Sequence, residues 1–142
     1  MPNQKIAIDA TVAAPLADVW EAFTTPAAIT QWNYASDDWC CPHAEADLRV
    51  GGIYNARMEA KDGSFGFDFA AIYEEVTPES AVTLALADGR KARTTFEPLQ
   101  GGVKVTTVFD AEGVNPVEMQ RNGWQAILDN FKNYVETQSC RA

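Results

Sequence analysis

The sequence predicts an α+β domain in which a curved antiparallel sheet of six to seven strands wraps a long C-terminal helix, with two short helices after the first strand. Three observations carry this expectation. Residues 115–138 place Trp124, Ile127, Leu128, Phe131, Tyr134 and Val135 at helical spacing. Asp62-Gly63, Asp88-Gly89 and Gly101-Gly102 punctuate alternating segments, as hairpin turns do. Pro15 and Pro26 each stand where a short apolar stripe begins, at the first helical position, where a missing N–H costs nothing. A final helix this apolar must lie on the sheet that precedes it. A straight helix in a curved sheet leaves room for an internal cavity.

The elements follow in order. Residues 5–13 alternate Ile6, Ile8 and Ala10 against Ala7, Asp9 and Thr11, a strand with one buried face. Leu16, Val19, Trp20 and Phe23 then form a single helical stripe. Thr24-Thr25-Pro26 ends that helix and starts a second, with Thr25 as its cap and Ile29 and Trp32 on its apolar side. Residues 33–46 read as an irregular connection bearing Trp39, and 47–50 as a short strand closed by Gly51-Gly52. Strands are expected at 53–60, 65–77, 81–87, 92–98 and 103–110, with Thr77-Pro78-Glu79 as a turn. In the last helix Asn115 is the cap, Pro116 the first helical residue and Glu118 the capping-box partner. Gly123 interrupts it at a cost of about 1 kcal/mol relative to alanine, which implies close approach to the sheet or space kept for a ligand.

The chain has 142 residues, which suits one domain over 1–142. Eleven basic against twenty acidic residues give a net charge of −9. Such a surface repels phosphate backbones and anionic lipid heads, so no nucleic-acid partner is expected. No apolar run approaches the ~18–20 residues that span a bilayer, so no membrane insertion is expected. Residues 1–9 lack the apolar segment of a secretion signal, and the expected location is cytoplasmic. Cys40, Cys41 and Cys140 do not form a disulfide framework. Adjacent residues in an extended segment point to opposite sides, so Cys40-Cys41-Pro42-His43 cannot close a tetrahedron, and no metal or other cofactor is expected.

The order of elements, with specific words attached, resembles the helix-grip fold of the START-like superfamily, also called SRPBCC or Bet v 1-like. The words are residues 14–24 (Ala-Pro-Leu-Ala-Asp-Val-Trp-Glu-Ala-Phe-Thr), Trp32, Asp47-Leu48-Arg49-Val50-Gly51-Gly52, Asp62-Gly63, Val76-Thr77-Pro78, and Gly123-Trp124 with Leu128 and Phe131. They span almost the whole chain. Within the superfamily the chain is most similar to the bacterial branch named after the activator of the heat-shock chaperone ATPase homologue. The resemblance implies the fold. It leaves function open among lipid carriers, polyketide cyclases and aromatases, receptors and stress-related co-chaperone domains.

No hydrolase elbow, zinc-protease helix, phosphate loop or dinucleotide fingerprint is present, and no catalytic residue is assigned. Arg49 precedes a strand rather than a helix N-terminus and is expected to bond a nearby carboxylate or carbonyl. The aromatic residues are the better lead. A cavity is expected between Met119, Gly123, Trp124 and Ile127 of the helix and Tyr54, Met58, Phe67, Phe69 and Phe109 of the sheet. Trp32 and Trp39 are expected near its mouth, with Arg57, Asp68 and Thr107 beside Tyr54 as polar orienting groups. Three readings follow. The first is a binding protein for a lipid-like, aromatic or polyketide-like small molecule. The second is a chaperone-accessory module with a protein partner, and the third a cavity enzyme such as a cyclase or aromatase. The oligomeric state, monomer or dimer, is open.

Overall fold

The computed structural model describes residues 5–34, 38–86, 89–111 and 116–139. Asp88, Asn115 and Cys140, named above, and residue 87 at the end of an expected strand lie outside them. The elements are β1 (Lys5–Val12), α1 (Leu16–Thr24), α2 (Pro26–Trp32), β2 (Trp39–Ala46), β3 (Ile53–Ala60), β4 (Gly66–Thr77), β5 (Ala81–Leu86), β6 (Lys91–Leu99), β7 (Gly102–Asp110) and α3 (Val117–Ser139). Among the described residues, seven strands form one curled sheet in the order β1-β7-β6-β5-β4-β3-β2. Every neighbouring pair is antiparallel.

β1 buries Ile6, Ile8, Ala10 and Val12 and exposes the residues between them. The same period runs through Val103, Val105, Thr107 and Phe109 of β7. These residues share the concave face, and α3 lies across it. The register shifts between Cys40 and His43 against β3, and between Tyr73 and Glu75 against β5. Such bulges bend a strand and raise its twist, which helps the sheet curl.

One expectation is corrected here. Residues 39–46 are not irregular; they form the edge strand β2, and 47–50 belong to the turn that follows it. Pro42 lacks an N–H for the ladder, but an edge strand has one side unpaired and tolerates it. The turn is held by Arg49, whose Nε donates to Asp47 Oδ2 at 2.8 Å. A Cβ on Gly52 would lie 2.0 Å from the Asp47 carbonyl oxygen, so only glycine fits there.

The backbone of α3 runs against β1, α1 and α2 and stands farther from β3 to β5. Gln125 Nε2 donates to the Asp9 carbonyl at 3.1 Å, and the Ala13 N–H donates to Glu136 Oε2 at 2.9 Å. Phe131 is fully buried. Its ring meets Trp32 and Phe23 edge-on, with centroids 4.9 and 5.5 Å away. Trp20 and Phe23 in turn meet Phe96 of β6 edge-on. This aromatic cluster anchors one end of the helix. Toward the other end, α3 and the strands separate.

Candidate functional site: a cavity beneath the C-terminal helix

Where α3 stands off from the strands, a cavity of about 240 Å³ opens. The sheet contributes Tyr54 and Met58 from β3, Phe67 and Phe69 from β4, and Thr107 from β7. Trp124 and Ile127 come from α3, and Trp32 from the end of α2. These eight are the sequence candidates that the fold brings together. Phe67 is 42% exposed although it points to the concave side, so the cavity reaches the surface beside it.

Other candidates stand elsewhere. Arg57 lies three positions from Tyr54 on one strand, and an odd spacing sends it to the convex face. There it sits opposite Asp68 in the register, with its Nε donating to Glu59 at 2.9 Å. Neither Arg57 nor Asp68 reaches the cavity. Trp39 is half-buried in β2 and meets Phe65 and Phe67 edge-on, at 5.9 and 6.1 Å between centroids, so it backs the rim rather than the wall. Trp32 is not at a mouth but buried, its Nε1–H donating to the Ala22 carbonyl at 3.0 Å. Phe109 is buried behind Trp124, ring on ring at 4.0 Å and 12°. Trp124 itself is only half-buried, since one side of it forms wall. Met119 is 59% exposed on the first turns of α3. Gly123 is not part of the wall, and a Cβ built there meets nothing within 4 Å. The glycine therefore does not mark a close approach of the helix to the sheet.

The wall also holds Ile8, Phe23, Asn33, Leu84, Ala92, Thr94 and Leu128, which the sequence reading did not select. Thr94 was findable only through register, since it lies opposite Thr107 across β6 and β7. Asn33 follows the last residue of α2 and is buried, with no periodic pattern to mark it.

The polar atoms come as two couples. Asn33 Nδ2 donates to the Tyr54 hydroxyl at 3.3 Å, and the Thr94 and Thr107 hydroxyls bond each other at 2.7 Å. Burial, with the nearby Tyr73 adding to it, pushes the Tyr54 phenol far up, so it stays protonated at any physiological pH. Burial likewise pushes Tyr73 up to about 12. No Asp, Glu, Lys, Arg, His or Cys is in the described wall. His43 lies on the surface against Glu45 at 3.1 Å, and buried Cys41 donates to the His43 carbonyl. Burial raises the Cys41 thiol above its ordinary range.

Comparison with known proteins agrees with this architecture. Residues 13–136 match the family model described as activator of Hsp90 ATPase homolog 1-like protein. The solution structure of an AHSA1-like protein from Aeromonas hydrophila is 41% identical, with a TM-score of 0.90, covering 95% of this chain and 94% of that one. A protein from Cytophaga hutchinsonii is 39% identical, with a TM-score of 0.81, covering 97% and 96%. A Chromobacterium violaceum protein is 26% identical, with a TM-score of 0.84, covering 94% and 98%. No curated protein matches the chain. With most of its length matched by the family model and two relatives near 40% identity, the chain belongs to the activator of Hsp90 ATPase homolog 1-like family, within the START/SRPBCC helix-grip superfamily.

Proposed function

We propose that this protein binds a small apolar molecule in the cavity beneath α3. The observation that carries the reading is the lining: aromatic and aliphatic side chains enclose about 240 Å³, and the polar groups within it are few and hydrogen-bonded. Ligand sites are built in this way. The volume exceeds a benzene-sized void of about 150 Å³ and falls just below the usual ligand range, about 300–1,000 Å³. A neutral fluorescent probe, N-phenyl-1-naphthylamine, should bind one-to-one and quench tryptophan emission, since Trp32 and Trp124 form wall. Ala92→Phe fills the space from β6 and should weaken that binding at least tenfold while the fold persists. A folded protein that does not bind the probe would overturn the reading.

A second reading, an accessory module acting on a chaperone ATPase, draws support from the family description and from exposed Val50, Ile53 and Ile72. Ile53 and Ile72 are opposite each other on the convex face. Stimulation of Hsp90 ATPase by the protein, lost in Ile53→Asp, would favour it. The cyclase or aromatase reading gains nothing from the described wall, which offers no carboxylate or imidazole to move a proton.

A further inference from the structure

Resting on the cavity reading, we infer the ligand's class: a compact, uncharged molecule carrying a hydrogen-bond acceptor that meets the Tyr54–Asn33 couple, with a second polar atom toward Thr94–Thr107.

Charge is decided by what the wall lacks. An ionised carboxylate or amine entering the cavity would leave water and find no opposite charge among the described residues there. Burying an unpaired charge is prohibitive. The phenol of Tyr54, held protonated, cannot serve as a counter-anion for an amine. Arg57, the nearest cation in sequence to the aromatic wall, is committed to Glu59 and Asp68 on the other face of the sheet.

Counting protons shows that the two couples can serve a ligand acceptor. The Tyr54–Asn33 couple owns one hydroxyl and two amide protons and spends one on its internal bond. Turning the amide over changes which proton is spent, not how many remain. The threonine couple owns two protons and spends one. Among the described residues both couples therefore have donors left for a ligand acceptor.

Their placement sets the ligand's outline. Tyr54 stands on β3, while Thr94 and Thr107 stand on β6 and β7. Three strand spacings separate β3 from β6 in the sheet order, roughly 14 Å along the surface and less across the curl. A fused pair of rings with polar atoms at its ends spans such a gap; a long acyl chain exceeds the volume.

The test is competition against bound N-phenyl-1-naphthylamine at pH 7 by four shape-matched compounds. 1-Tetralone should compete about fivefold better than tetralin, the return of one hydrogen bond. 1-Naphthamide should compete at least tenfold better than 1-naphthoate. The double variant Tyr54→Phe/Asn33→Leu removes every proton of that couple and should erase the tetralone advantage while leaving tetralin unchanged; if that variant is unstable, the wild-type comparisons still decide. If the probe binds but tetralin equals tetralone, or naphthoate equals naphthamide, the cavity reading stands and this assignment falls. If the probe does not bind, both fall.

Discussion

Tyr54 and Arg57 stand three residues apart on β3, and that odd spacing separates a cavity wall from an outer ion pair. Single positions thus divide the site sharply. Arg57→Ala should leave probe affinity within twofold of wild type, whereas Ala92→Phe should not; a fluorescence titration of both distinguishes inner from outer residues. Trp124 illustrates an intermediate case. It stacks on Phe109 with one face and lines the cavity with the other. Trp124→Ala should destabilise by about 2–3 kcal/mol, below the ~3–5 of a fully enclosed aromatic residue. Phe131→Ala, at a fully buried position between two aromatic edges, should cost the full ~3–5 kcal/mol. Chemical denaturation of the two variants checks the order.

Among the elements, α3 does most to shape the site. Its C-terminal half is pinned by Phe131, Val135 and the Glu136 carboxylate, while its N-terminal half stands over the cavity. Gly123 weakens that half without contributing wall. Gly123→Ala should therefore raise stability by up to about 1 kcal/mol, about 2–4 °C in melting temperature, with probe affinity unchanged. A loss of binding in that variant would instead place Gly123 at the cavity. At the opposite edge, β2 shows why an element can be hidden in sequence. Its Pro42 would break the ladder of a central strand and is tolerated because β2 lies on the sheet edge.

Across the whole molecule, carboxylates tie the shell together. Asp110, at the end of β7, accepts from Lys5 of β1 and from the Lys91 N–H of β6, so three strands meet on one side chain. The hydrogen bond from Lys5, more than its charge, holds Asp110 below the ordinary aspartate value of 3.8. Glu136 is lowered by Lys132 and then by the Ala13 N–H, and Glu75 by Arg93 and then by Thr83. Lowered carboxylates bind fewer protons folded than unfolded, so stability rises with pH through that window. Their contribution is complete above the ordinary carboxylate values and lost as pH falls through the lower folded ones. Melting temperature should hold from neutrality to about pH 5 and drop below about pH 4. Asp110→Asn should lower stability at pH 7 and flatten the acid limb. Relief of repulsion within the net −9 charge opposes the drop without reversing it.

The sequence by itself determined the elements whose signal is local. Alternation marked β1 and β7, and the apolar stripe marked α3; Pro26 stands at the first position of α2 as expected, whereas Pro15 is the extended cap of α1, one residue before the first helical position expected of it. The aromatic content of the site was legible too, because Tyr54, Met58, Phe67 and Phe69 keep one parity on two strands. Only the tertiary structure decided which of these residues share a space. The Thr94–Thr107 couple exists because β6 and β7 pair in one register, and the Tyr54–Asn33 bond joins residues from a strand and a helix end. The cavity itself lies where α3, held on β1, α1 and α2, cannot also reach the far strands of a curled sheet. That gap depends on curvature and helix placement, which no run of neighbouring residues encodes.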